Sequence, residues 1–169
     1  FHSKASEKNL KLHYHTPLAD DQDMIYTDRT KLQQIMSNLL LNAFKFTSEG
    51  EVEFGYQSDN ENIRFYVRDT GIGIPQKMTR KIFKRFIQVN NYDSSTEGGT
   101  GLGLSISQGL VNLLGGEIGV QSKKGEGSMF YFTIPFKPSA PENGQHSLAE
   151  KDDSSISSET QGEKQKTIL

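Results

Sequence analysis

Asn38-Leu39-Leu40-Leu41-Asn42-Ala43-Phe44-Lys45-Phe46-Thr47 is the stretch on which the reading of this chain turns. Extended upstream, its apolar residues fall at Leu32, Ile35, Met36, Leu39, Leu40, Ala43 and Phe44. That spacing is the signature of an amphipathic helix with one stripe facing a core. Asp28, just ahead, is a suitable N-cap. Asn38, Asn42 and Lys45 stand four and three residues apart and form a second, polar line along the same helix. Asparagine is a mediocre helix former. Two of them one turn apart mark either a solvated helix face or a row of ligand-binding groups, and three glycine-bearing segments downstream bear on the choice.

Working outward, the spacing predicts strands at 10–14, where Leu10, Leu12 and Tyr14 alternate with polar residues, and at Met24–Tyr26. The helix is expected to stop near Ser48-Glu49-Gly50, with Gly50 at C′. Val52–Gln57 and Ile63–Arg68 read as two strands joined by a polar turn, ending at Asp69. Gln76–Phe86 reads as a helix with Met78, Ile82, Phe83 and Phe86 inward, and residues 87–99 as an aperiodic polar loop. Leu102–Leu114 is a further helix, followed by strands at Glu117–Gln121 and Met129–Phe136. From Lys137 onward Ser, Glu, Lys, Gln, Asp and Gly dominate and no aromatic residue recurs. Such a stretch buries too little apolar surface to offset its ordering entropy. The division expected is 1–137 as one domain, 138–165 as a flexible linker, and 166–169 as the start of a following domain.

Composition narrows the function. A chain of 169 residues is about one domain. Its net charge of −2 argues against nucleic-acid binding. There is no cysteine, hence no disulfide framework, thiolate zinc site or cysteine nucleophile. The histidines have no second metal-binding residue at helical ligand spacing. No run of about 18 apolar residues occurs, so direct membrane contact is not expected and a cytoplasmic location is the default.

Gly71 and Gly73, in Asp69-Thr70-Gly71-Ile72-Gly73-Ile74-Pro75, let backbone pass close to a flat ligand without β-carbon clashes. Asp69 beside them offers a carboxylate that can accept from an exocyclic amine such as adenine N6, whereas guanine presents an acceptor there. A strand-to-helix turn with an Asp cap is the plainer alternative. In Gly98-Gly99-Thr100-Gly101-Leu102-Gly103-Leu104-Ser105, four glycines open an apolar helix. Free N–H groups and the positive end of the helix dipole then face a site where an anion can sit. Leu104 occupies the position where a P-loop needs lysine, and Ile106 the place of the third dinucleotide-fold glycine, so neither of those motifs fits.

Asn38–Thr47, Asp69–Pro75, Phe83–Phe86, Gly98–Ser105 and Gly125–Ser128 resemble, in order, the N, G1, F, G2 and G3 boxes of sensor histidine kinases. Their catalytic domain belongs to the superfamily shared with DNA gyrase, Hsp90 and MutL. The resemblance covers residues 8–137 and implies a two-layer α/β sandwich of the GHKL (Bergerat) type, a mixed sheet with helices on one face and a flexible ATP lid. It implies ATP and Mg2+ as cofactors, with Asn42 as the metal ligand. Asn38 would line the phosphate side, Lys45 would contact the triphosphate, and Asp69 would recognise adenine in a pocket shaped by Gly71, Gly73 and Ile74. Phe83 and Phe86 would anchor a lid of residues 87–99. Gly99, Thr100, Gly101, Leu102, Gly103 and Leu104 would wrap the phosphates. Arg85, within the basic run Lys77, Arg80, Lys81, Lys84, Arg85, would reach the γ-phosphate or a partner helix; the rest of that run reads as a solvated face.

On this resemblance Asn38, Lys45 and Arg85 are the catalytic candidates. The partners implied are a histidine-bearing dimerisation domain of the same parent protein and a response-regulator receiver domain, as in a hybrid kinase whose parent is anchored in the inner membrane. The alternatives are a hydrolysing ATPase switch and a serine kinase of the same fold. Position 38 discriminates, because hydrolysing relatives carry a glutamate there and Asn38 is a poor base.

Overall fold

Along residues 62–69 the chain alternates, with Ile63, Phe65, Val67 and Asp69 buried and Asn62, Arg64, Tyr66 and Arg68 facing outward. Strand periodicity therefore carries Asp69, a carboxylate, onto the core-facing side of its strand. The computed structural model describes residues 1–16, 24–58, 61–88, 100–135 and 166–168. Its elements are α1 (His2–Glu7), β1 (Lys11–His15), β2 (Met24–Tyr26), α2 (Arg29–Phe46), β3 (Glu51–Ser58), β4 (Asn62–Asp69), a 3-10 turn at Gln76–Met78, α3 (Gly103–Leu113), β5 (Ile118–Lys123), β6 (Gly127–Pro135) and β7 (Lys166–Ile168).

Five strands form one mixed sheet in the order β1-β3-β4-β6-β5, with β1 parallel to β3 and every other pairing antiparallel. α2 and α3 pack on one face, the arrangement that lets an amphipathic helix and a half-apolar sheet bury their stripes together. Ile35 and Leu39 of α2, Val111 of α3, and Val52, Ile63, Val67 and Phe132 of the sheet are fully buried. Phe65 and Phe132 stack at 5.0 Å between ring centroids. On the outer face Tyr66 donates to the Glu53 carboxylate at 2.8 Å. Burial, and then that carboxylate, push its phenol up to about 12. Arg64 lies 3.9 Å over the Tyr131 ring.

The α2 helix begins where expected: Asp28 caps it by accepting from the Lys31 amide at 3.0 Å. Its far end differs. The C-cap is Thr47 in an extended conformation, so Gly50, with φ +105°, lies three residues beyond and is not C′. Lys8 instead donates its ammonium to the Phe44 carbonyl at 2.7 Å, satisfying one of the orphan acceptors that a helix end leaves.

Gln76–Phe86 is not the regular helix its apolar spacing predicts. A 3-10 turn leads into further turns, with Ile82 bonded to Met78 and Lys84 to Lys81 through a mixture of four- and three-residue steps. Like charges at Lys77–Lys81, Arg80–Lys84 and Lys81–Arg85 oppose a continuous helix there. Ile82 is buried, and Met78 and Phe83 pack against the core as expected. Phe86 does not: it is 72% exposed at φ +62°.

The strand expected at 166–169 is present as β7, and its partner is β2 of this same chain, antiparallel with Ile25 opposite Thr167. Most of the loop at 87–99, the linker at 138–165, and Leu169 lie outside the described residues. Among the described residues no helix is long and apolar enough to cross a membrane.

Candidate functional site

Asp69 ends β4 at 5% exposure, under the helical layer. One carboxylate oxygen accepts from the Gly71 amide at 2.9 Å. Burial pushes its carboxyl above the usual range, and the amides of Gly71 and Ser128 pull it partway back. A carboxylate held in so dry a place by backbone donors marks a candidate ligand-binding group.

The loop that follows is held on both sides. Ile72 donates to the Phe46 carbonyl at 3.2 Å, joining it to the end of α2, and accepts from Gly125 at 2.8 Å, joining it to the β5–β6 hairpin. Gly73 sits at φ +63° against the Lys123 carbonyl, so a β-carbon there meets both strain and a clash. Ile74, half-buried, packs against the core.

The polar line of α2 stays together, and its members have different surroundings. Asn38 is engaged by α3: its amide nitrogen donates to Ser107 Oγ at 2.7 Å and its amide oxygen lies where a β-carbon on Gly103 would be. Gly103 is thus required for close approach of two helices as well as for an open helix start. Asn42, one turn nearer the Asp69 loop and half-buried, has no side-chain partner among the described residues. The Lys45 ammonium stands 5.3 Å from the centroid of the Phe46 ring, itself 37% exposed.

The glycine segment meets the turn region at one point, where Phe86 donates its amide to the Gly101 carbonyl at 2.9 Å. Thr100 is exposed, Leu102 and Leu104 are half-buried, and Leu104 packs against the core. Gly99 lies outside the described residues. Arg85 is exposed, with no ion pair among the described residues. The α2 face, the loop after Asp69 and the start of α3 therefore converge, while Arg85 and Phe86 stand on the surface.

Several participants carry no sequence signal of their own. Ser107 sits where helical spacing calls for an apolar side chain and is 1% exposed, serving Asn38 instead. Ser122 and Ser128 face each other across β5 and β6 at 3.0 Å. Thr47 is fully buried beside Gly71, and its hydroxyl has no partner among the described residues. Alternation along β5 and β6 could have paired the two serines, and nothing in the sequence could have paired Ser107 with Asn38. Among the described residues no cluster of three or more His, Cys, Asp or Glu could hold a metal.

The profile of the family described as histidine kinase-, DNA gyrase B-, and HSP90-like ATPase matches residues 27–138. The sensor histidine kinase AruS of Pseudomonas aeruginosa is 48% identical over 108 residues, which is 61% of this chain and 11% of that protein. The sensor protein GacS of Pseudomonas syringae pv. syringae is 40% identical over 152 residues, 87% of this chain and 16% of that protein. The chain thus spans a sixth or less of the length of these curated relatives. Among solved structures, the nucleotide-free catalytic domain of histidine kinase ThkA is 30% identical with a TM-score of 0.69, covering 82% of this chain and 88% of that one. Full-length ShkA in complex with AMPPNP is 34% identical with a TM-score of 0.70, covering 82% and 28%.

Proposed function

This chain belongs to the histidine kinase-, DNA gyrase B- and HSP90-like ATPase family, and from that footing we propose that it is the ATP-binding catalytic unit of a two-component sensor kinase. In that role it binds Mg·ATP and presents the γ-phosphoryl to a histidine on a separate helical dimerisation domain, for relay to a receiver domain. The single observation that carries the base assignment is the buried Asp69 carboxylate, flanked by Gly71 and Gly73, with acceptor capacity beyond the Gly71 amide. Adenine N6 supplies a donor for that capacity, and the exposed Phe46 ring with Ile72 and Ile74 offers apolar contact to the base.

The triphosphate runs along α2 toward α3. Lys45 meets it as a point charge, and the open helix start at Gly101 and Gly103 offers amides and a positive dipole end. Gly99, which lies outside the described residues, would complete that wrap with Thr100, Leu102 and Leu104, and residues 87–99, most of them likewise outside, would form the lid, with the half-buried Phe83 as its anchor. Asn42, whose amide has no partner among the described residues, fits a magnesium ligand, since that ion keeps waters and takes most of its ligands from phosphates. The ion, when bound, neutralises triphosphate charge and orients the γ-phosphoryl.

Asn38 is an amide already engaged by Ser107, and no carboxylate stands there to activate water. That favours transfer to a partner's histidine over a hydrolysing switch. Arg85, exposed and without an ion pair among the described residues, remains the candidate for contact with the transferred group or the partner helix. A linker at 138–165, which lies outside the described residues, and a receiver domain starting at 166–169 belong to the same reading. Supplying a histidine-bearing helical hairpin in trans with γ-labelled ATP tests the whole reading. Acid-labile label on the hairpin is expected, and free phosphate without labelled protein would favour the hydrolase.

A further inference from the structure

Between the loop after Asp69 and the β5–β6 hairpin stands Ser122, a half-buried side chain. Its hydroxyl accepts from the Ile74 amide at 2.7 Å and donates to the Gly127 carbonyl at 2.8 Å. The Ser128 hydroxyl lies 3.0 Å away. A hydroxyl carries one proton and two acceptor positions. With the proton on Gly127, Ser128 must be the donor of the third bond, and all three capacities of Ser122 are used.

Both arms of this junction lead to Asp69. Through Ile74 it fixes the far end of the loop whose Gly71 amide bonds the Asp69 carboxylate. Through Gly127 and Ser128 it fixes the strand segment that lies opposite Asp69 and aims a second amide at the same carboxylate. Among the described residues the other hydrogen bond from loop to hairpin, Gly125 N–H to Ile72 C=O at 2.8 Å, is backbone alone. Ser122 is thus the side chain that sets the spacing between the two amides.

We propose that Ser122 is a positioning residue for purine recognition: its hydroxyl locks loop 71–74 to the β5–β6 hairpin, so that the Asp69 carboxylate is presented to the base in one orientation. This rests on the reading of Asp69 as the adenine-recognising group. Removing the hydroxyl leaves the Ile74 amide and the Gly127 carbonyl without their partner, and the loop relaxes away from the geometry that reads the base.

The test compares Ser122→Ala, Ser122→Thr and Asp69→Asn in the full chain, titrated with Mg·ATP, Mg·GTP and inorganic tripolyphosphate. Exchange of the Ile74 amide is followed in parallel. Ser122→Ala is expected to weaken ATP about tenfold and to speed Ile74 exchange about tenfold, with tripolyphosphate binding within about twofold. Ser122→Thr, which keeps the hydroxyl, restores the parent ATP/GTP ratio. Should Ser122→Ala fail to fold, Ser122→Cys, a weaker donor and acceptor, is read the same way and must show an intermediate loss of that ratio. An unchanged ratio in Ser122→Ala or Ser122→Cys, while Asp69→Asn collapses it, overturns the proposal. Equal loss of ATP, GTP and tripolyphosphate also overturns it, because that outcome marks a general structural role. A ratio untouched by Asp69→Asn removes the adenine reading itself, and this proposal falls with it.

Discussion

Replacing Asp69 by asparagine separates what this residue does for the ligand from what it does for the fold. The side chain keeps its shape and retains an oxygen for the Gly71 amide, but it loses the charge. A hydrogen bond to a charged group is worth about 1.5–3 kcal/mol, so ATP should bind about 10- to 150-fold more weakly. GTP should gain, because the new amide can donate to guanine O6. Stability should move little. Burial raises the Asp69 carboxyl above its ordinary value of 3.8, so between 3.8 and the raised value the folded chain binds more protons than the unfolded one. Stability from this group is therefore present at low pH and falls as pH rises through that window, and at neutral pH the ionised group opposes folding. Asn removes that opposition while facing two backbone donors with only one acceptor oxygen. The two changes offset, leaving the melting temperature within about 4 °C, roughly 1 kcal/mol. Calorimetry with both nucleotides, repeated across pH, checks each part: parent ATP affinity should fall on acidification before an ordinary carboxylate would protonate, and that of Asp69→Asn should not. An unchanged ATP/GTP ratio in the variant refutes the assignment of the base.

Asn42→Ala should weaken Mg·ATP binding while sparing adenosine, read by titration with and without the metal; equal loss of both would mean that the residue supports the fold instead. Thr47→Val removes a fully buried hydroxyl that lacks a partner among the described residues. It should be neutral or stabilise by about 1 kcal/mol in denaturant unfolding, and a clear loss would reveal a partner. The chain alone, incubated with γ-labelled ATP, should acquire no acid-labile label until a histidine-bearing hairpin is added. Its His2, His13, His15 and His146 are followed by serine, tyrosine, threonine and serine, not by an acid that could take the proton. Label on the chain by itself would contradict the division of labour proposed.

Periodicity and local chemistry are written in the sequence because they depend on neighbours a few residues apart. The α2 stripe, its Asp28 cap, the strands of both hairpins and the glycines around Asp69 and before α3 were all legible for that reason, and the five ordered boxes resembled one family. Where local signals compete, the tertiary structure decided. Gln76–Phe86 carries helical apolar spacing, yet repelling cations and the bond from Phe86 to Gly101 turn the chain outward, and Phe86 leaves the core. Gly50 looks like a helix stop, but the helix ends at Thr47, where Phe46 must bond the loop after Asp69. Contacts between distant segments were beyond the sequence. The bond from Asn38 to Ser107 spans 69 residues and that from Ile74 to Ser122 spans 48. A serine's hydroxyl carries no label naming its partner, because only folding brings the partner within the about 3 Å over which a hydrogen bond acts.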